Sequence, residues 1–176
     1  RDCLGKLYAK VFGTECGIVS PHLLSGTHAL TVALFGLLRP ADTLFCISGM
    51  PYDTLRGVIF GEGNGSLKDF GVNFEYVGLK DGKFDYEEIS RSFNDKIKVV
   101  YIQRSRGYEL RDAFSCAEIG EACKFVRGLG FNGCIFVDNC YGEFIEREEP
   151  TEVGADVMAG SLIKNAGGGL AQNGGY

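Results

Sequence analysis

Lys164 is the residue of this chain most suited to act as a nucleophilic amine. It follows the apolar pair Leu162-Ile163 and precedes the cluster Gly167-Gly168-Gly169, so it does not sit on an ordinary solvated helix face. Partial burial would lower the pKa of its amine and make it nucleophilic. A surface lysine on a loop is the plainer alternative. Asp138 ends the apolar run Gly133 to Asp138, GCIFVD. A carboxylate in that position is costly unless it is paired, and a cationic N–H is a suitable partner. It could equally cap the following turn together with Asn139. Ser25-Gly26-Thr27 opens a helical run. Free backbone N–H groups and the positive end of the helix dipole suit a phosphate there, and Gly26 allows close backbone approach. A plain N-cap by Ser25 accounts for the same triplet.

An amine, an anion and a phosphate cradle are the three groups a pyridine aldehyde phosphate needs in order to act as an electron sink. Other chemistries find less support. The two histidines have no regular spacing to cysteine, so no metal site is indicated. His28 falls inside the first helical run, and His22 precedes it. The glycine cluster does not form G-x-G-x-x-G and comes after the last strand instead of the first, which argues against a nicotinamide site. Glu143, Glu146, Glu148 and Glu149 read most simply as a solvated acidic turn.

The elements that must position these groups alternate between short apolar runs and helical stretches. Ser25 caps a helix through Leu38, with Ala29, Leu30, Ala33, Leu34, Leu37 and Leu38 three and four residues apart on one face. Thr43 to Ser48 reads as a buried strand, Thr54 to Phe60 as a helix, and Asn73 to Val77 as a strand. Gly61 to Gly71 is glycine-rich and reads as flexible. Asp85 to Phe93 is a short helix with Asp85 as its cap. Lys98 to Gln103 is a strand, Ser115 to Leu129 a helix, Gly133 to Asp138 a strand, and Ala155 to Ala159 a short apolar piece. Strands apolar on both faces, alternating with helices, indicate an α/β fold: a mostly parallel sheet with helices on both faces. Ligands in such sheets bind outside the carboxyl ends of the strands. Tyr52 and Asp53, then Gln103, Arg104 and Ser105, then Asp138 and Asn139 gather there.

The bulk numbers agree with a folded domain. The chain has 176 residues, 45% hydrophobic and 23% charged, with a net charge of −5. That length supports one domain with a real core. An acidic chain without a long basic run argues against nucleic acid as the main partner. No apolar run approaches the ~20 residues that span a bilayer, so no membrane partner is expected. The start, Arg1-Asp2-Cys3, has no secretory pattern. The absence of an initiator Met and the Gly-Gly-Tyr176 end read as an excerpt of a longer chain. Seven cysteines, an odd count with no C-x-x-C pair, read as reduced thiols packed as small hydrophobes in a cytoplasmic protein.

Five blocks carry a resemblance: SGTHAL (25–30), SGMPYDTL (48–55), YIQRSRGY (101–108), FVDNCYGEF (136–144) and GADVMAGSLIKNAGGGLA (154–171). Together they resemble the Cys/Met-metabolism enzymes dependent on pyridoxal 5′-phosphate. Within these, the similarity is to the branch known as aluminium-resistance or methionine γ-lyase-like proteins. The resemblance covers nearly the whole chain. It implies the large, cofactor-binding domain of the aspartate aminotransferase fold (fold type I) over residues 1–176. A carboxyl-terminal small domain and a partner subunit would complete the site, in a homo-dimer or homo-tetramer.

The resemblance also implies roles residue by residue. Lys164 is expected to hold the cofactor as an internal Schiff base and later to shuttle a proton. Asp138 is the expected partner of the pyridine nitrogen, and Tyr52 the aromatic residue that stacks on the ring. Gly26, Thr27 and Ser161 are expected at the phosphate, with Ser25 opening that loop. The implied function is a lyase acting on an amino acid, by carbon–sulfur cleavage. The rivals are an aminotransferase on the same fold, a cysteine-rich metal-handling or stress-binding protein, and a non-catalytic form of the fold. Two departures stand out. Ile163 replaces the threonine of the usual Ser-x-Thr-Lys. Gln103-Arg104-Ser105-Arg106-Gly107 replaces the usual Glu-Ser-Pro-x-Asn-Pro, and Arg104 or Arg106 could contact a carboxylate or phosphate, although solvated arginines are the commoner case.

Overall fold

Three apolar runs, TLFC, IKVVYIQ and CIFVD, form neighbouring strands in the computed structural model, which describes residues 2–176. In chain order the elements are α1 (Asp2–Val11), α2 (Gly26–Leu37), β1 (Thr43–Cys46), α3 (Asp53–Phe60), β2 (Asn73–Tyr76) and the hairpin β3 (Leu79–Lys80) and β4 (Lys83–Phe84). There follow α4 (Tyr86–Ser92), β5 (Ile97–Gln103), α5 (Cys116–Gly128), β6 (Cys134–Asp138) and β7 (Val157–Ala159). Short 3-10 turns lie at Pro150–Glu152 and Asn165–Gly167.

The main sheet has the order β2-β1-β5-β6-β7, and every pairing in it is parallel. The chain steps outward from β1 to β2, then returns to lay β5 on the other side of β1. That reversal makes β1 and β5 the switch point of the sheet, the place where folds of this kind bind ligands. Parallel strands need crossovers, and α3, α4 and α5 supply them.

Helices cover both faces. On one face Ala29, Leu30, Leu34 and Leu38 of the α2 region and Leu55 and Ile59 of α3 pack on Leu44, Val99, Tyr101 and Phe136. On the other, Ile89 of α4 and Ile119, Ala122, Cys123 and Val126 of α5 pack on Phe45, Val100, Ile102, Ile135 and Val137. Strict alternation along β5 and β6 therefore sends Tyr101 and Asp138 toward the α2 and α3 face. Each fully buried large apolar side chain contributes about 1.5–3 kcal/mol by leaving water. Truncating Phe136, wholly buried against Tyr101, would cost about 3–5 kcal/mol.

The helix starts follow capping chemistry. Ser25 Oγ accepts the His28 N–H at 3.1 Å and Asp85 Oδ1 accepts the Glu88 N–H at 3.0 Å. Ser115 and Glu118 form a reciprocal capping box. His28 Nδ1 accepts the Leu24 N–H at 3.1 Å, which ties the turn before α2 to its first turn.

Four features depart from the sequence reading. Helix α1 has no counterpart in that reading, because Gly5 and the short length blunt its periodic signal. It is held from outside: Tyr8 donates its hydroxyl to the Ala166 carbonyl at 3.0 Å. The hairpin β3–β4 is too short to show alternation. The stretch 61–71, expected to be flexible, is clasped. The Asp69 carboxylate accepts backbone N–H groups from Ser66, Gly63, Gly65 and Asn64, and these lower its pKa. The thiols are also not uniformly packed. Cys46, Cys116, Cys123 and Cys140 are buried and Cys134 partly so, whereas Cys3 and Cys16 are exposed; all seven are free.

Candidate active site

The site lies beyond the carboxyl ends of β1, β5, β6 and β7, over the start of α2. Gln103, the last residue of β5, locks the switch point. Its N–H donates to Ser48 Oγ at 2.7 Å, and its Oε1 accepts the Tyr52 N–H at 2.9 Å. Tyr52 is thereby fixed as the residue before α3. Its hydroxyl is hydrogen-bonded to Thr27 Oγ1 at 2.9 Å, and burial pushes that phenol above its ordinary pKa.

Asp138 ends β6 and is 1% exposed. One carboxylate oxygen accepts the Cys140 N–H at 3.0 Å, and the other accepts the Tyr101 hydroxyl at 3.3 Å. Burial raises its pKa, against the pull of the Cys140 N–H and thiol, the Lys164 charge and the Tyr101 hydroxyl. A buried carboxylate with one good donor, one long one and spare lone pairs suits a further cationic N–H.

Gly26 brings distant segments together. A methyl group on it would lie 2.9 Å from Ser161 Cβ and 3.1 Å from Cys140 Sγ. The missing side chain thus lets the start of α2 touch the segment after β7. Among the described residues, the amides of Gly26 and Thr27 have no acceptor. The Ser25 hydroxyl, by contrast, is committed to capping His28. Ser161 is buried, and its Oγ accepts the Ile163 N–H at 3.4 Å. Two free amides at a helix start beside a buried hydroxyl fit an anion such as a phosphate.

Lys164 follows on a turn, half-buried. Its Nζ lies 3.9 Å from the centroid of the Tyr141 ring, an attractive seat for an ammonium. Its charge reaches Asp138, Cys140 and Glu143. Lys164, Asp138, Tyr52, Gly26, Thr27 and Ser161 thus share one end of the sheet, and Ser25 supports them through its cap.

Two expectations need correction. Arg104 is not solvated. It is 2% exposed and gives hydrogen bonds to Asn139 Oδ1 (2.8 Å), the Gly142 carbonyl (2.9 Å), Glu146 Oε1 (2.6 Å) and the Phe114 carbonyl (3.2 Å). A methyl group at Gly142 would strike its guanidinium. Arg106 is exposed. The acidic stretch is solvated only in part: Glu146 and Glu148 are exposed as expected, but Glu143 and Glu149 are not. Glu149 is buried and accepts from Asn139 Nδ2 and the Phe144 N–H, with Arg104 at 3.5 Å. Glu143 is wholly buried. Its Oε1 accepts the Tyr176 hydroxyl at 2.7 Å, while Oε2 has no partner among the described residues, and burial raises its pKa. Charge alone made these residues look exposed; partners far along the chain bury them.

Tyr101, Tyr141 and Cys140 were also not singled out as site residues in the sequence. Tyr101 carries a faint signal, two residues before the strand end and on the Gln103 face. Burial pushes the Cys140 thiol up, and it holds Cys46, Cys116, Cys123 and Cys134 at about 11, so these thiols are poor nucleophiles. Among the described residues no group of three or more His, Cys, Asp or Glu converges to hold a metal ion.

The fold defines the class first. A candidate O-acetylhomoserine (thiol)-lyase from Campylobacter jejuni, solved with a pyridoxyl-lysine phosphate residue, superposes with a TM-score of 0.75 at 23% identity. The match covers 99% of this chain and 38% of that one. The parallel sheet and its helices have the same fold as that structure, fold type I. A candidate cystathionine β-lyase involved in aluminium resistance, from Listeria monocytogenes, matches far more closely. Its TM-score is 0.98 at 50% identity, over 100% of this chain and 44% of that one.

The sequence pattern of the methionine gamma-lyase family matches residues 1–176, and the chain belongs to that family. An uncharacterized protein of Bacillus subtilis, YnbB, is 56% identical over 100% of this chain and 43% of its own length. The L-methionine gamma-lyase of Pseudomonas putida is 27% identical over 94% of this chain and 37% of its own length. The chain therefore spans less than half the length of these relatives.

Proposed function

We propose that this chain forms the cofactor-binding part of a pyridoxal 5′-phosphate-dependent carbon–sulfur lyase acting on an amino acid in the cytoplasm, as a homo-oligomer. One observation carries the reading: a buried, under-satisfied carboxylate, two free helix-start amides and a half-buried lysine meet at the carboxyl ends of one parallel sheet. Membership of the methionine gamma-lyase family supports it.

Each residue has a distinct task in this reading. When bound, the cofactor supplies an electron sink for negative charge at a substrate α-carbon. Lys164 supplies the amine that anchors the aldehyde, and once free it moves a proton at the α-carbon. Asp138 is the anion that keeps the ring nitrogen protonated. The Gly26 and Thr27 amides and the Ser161 hydroxyl hold the phosphate. Tyr52 supplies an aromatic group for the ring, oriented by Thr27 and Gln103. Ile163 donates nothing to the phosphate, which leaves that work to the amides and Ser161.

The test uses the full-length protein. Added pyridoxal 5′-phosphate should give a visible absorption that borohydride removes, and mass spectrometry of the digest should find the adduct on the peptide holding Lys164. Lys164→Ala should lose the adduct and lower turnover by about 10³-fold or more. Colour retained unaltered in that variant would end the proposal. Release of a thiol from a sulfur amino acid identifies the lyase, and exchange of an amino group with a keto acid identifies an aminotransferase instead.

A further inference from the structure

We propose that Tyr101 is a positioning residue of this site: its hydroxyl holds the Asp138 carboxylate oriented, and as the anion, toward a protonated ring nitrogen. The inference rests on the role of Asp138 proposed above and adds a residue that the resemblance does not assign.

The argument starts from what β5 requires at this position. Tyr101 is wholly buried, between the residues of α2, α3 and β6, with its ring edge-on to Phe136 at 5.7 Å and 75°. A phenylalanine would meet that packing as well. The hydroxyl is therefore surplus to the core, and a buried hydroxyl is costly unless it is bonded. Its hydrogen bond goes to Asp138 Oδ2, at 3.3 Å.

The register explains why the two meet. Tyr101 pairs with Phe136 and Gln103 with Asp138, so Tyr101 and Asp138 are diagonal neighbours on the same sheet face. The Cys140 N–H takes the other oxygen from the turn beyond β6. The carboxylate is thus gripped from two directions, by Cys140 on one side and by the Tyr101 hydroxyl on the other. Both donors favour the charged form. Burial of Tyr101 first, and the adjacent Asp138 second, push its own pKa well up, so it remains a donor. The other titratable groups facing this pair are Lys164, Cys140, Cys46, Tyr52 and Glu143. Lys164 is the cation among them.

The test compares Tyr101→Phe with the wild type in the full-length protein loaded with pyridoxal 5′-phosphate that is ¹⁵N-labelled in the ring. Without the hydroxyl, the Asp138 carboxylate gains proton affinity and competes for the ring proton. The ring-nitrogen resonance should move toward that of an unprotonated pyridine. The turnover number should fall about ten-fold, the worth of one hydrogen bond to a charged group, with KM within about two-fold. A wild-type resonance and wild-type turnover in the variant would overturn the proposal. Should Tyr101→Phe not fold, 4-aminophenylalanine at position 101 keeps the ring and weakens the donor. The resonance should then move in the same direction by less, and no movement would count against the proposal just as firmly. A wild-type protein that stays colourless with the cofactor sinks the underlying reading instead, so the two failures are distinguishable.

Discussion

Asp138 and Glu149 are both buried carboxylates at the carboxyl-end side of the sheet, 1% and 4% exposed, yet their surroundings differ in kind. Glu149 sits in a closed network. It accepts from Asn139 and the Phe144 N–H, lies beside Arg104, and its own N–H donates to Glu152. Asp138, one residue before Asn139, has a single good donor, a second long one, and a pKa that burial pushes up. Adjacent residues at the end of one strand thus point into opposite economies of charge. The Asn139 side ties the 139–149 loop to β5 and is complete within the chain. The Asp138 side is held more loosely, which agrees with the role proposed for this carboxylate.

The comparison can be broken at either end. The largest expected effect is on stability. Arg104→Ala should lower the unfolding free energy by about 3–5 kcal/mol, because it strands Glu149 and Asn139 without their buried cation. Denaturant unfolding measures this, and an unchanged midpoint would mean the network is not closed as described. Asp138→Asn should act the other way round. It should leave the cofactor-free protein at least as stable at neutral pH while lowering turnover by about 100-fold. A loss of stability as large as that of Arg104→Ala would erase the distinction between the two carboxylates.

The smallest effect concerns pH. The folded-state pKa values of Glu143 and Asp138 are both raised by burial. Each group's contribution to stability is therefore fully present below its unfolded pKa of about 4 and is lost as pH rises through the folded value. Glu143→Gln should flatten that decline in the cofactor-free protein, seen as a shallower fall of the thermal midpoint with rising pH. A slope equal to that of the wild type would show that Glu143 has a partner in solution that satisfies its second oxygen.

Much of the architecture was legible because local rules and tertiary needs agree here. The runs TLFC, KVVYIQ and CIFVD are apolar on both faces, and they became the parallel strands between the two helix layers. Ser25 and Asp85 became caps at the positions their chemistry favours, and Ser115, read as the first residue of its helix, proved to cap it. The strand-end location of Asp138 followed from the same pattern. What stayed hidden depends on pairs remote in sequence. Arg104 with Glu146 and Glu149, Glu143 with Tyr176, and Tyr101 with Asp138 each join residues that no helical or strand period links. A charged side chain read alone defaults to solvent, and only the folded register reveals that it has company. The clasp of the 61–71 stretch by Asp69 escaped for the same reason: the glycines were visible, but not the carboxylate that collects their amides.

The close approach at Gly26 has a consequence for the order of assembly. The start of α2 meets Ser161 across most of the chain, so neither half of that contact exists by itself. During synthesis the first half emerges early and must wait until the segment after β7 has cleared the ribosome and docked. Under the proposed function, a nascent polypeptide of this kind acquires its cofactor late, with the sheet already in place.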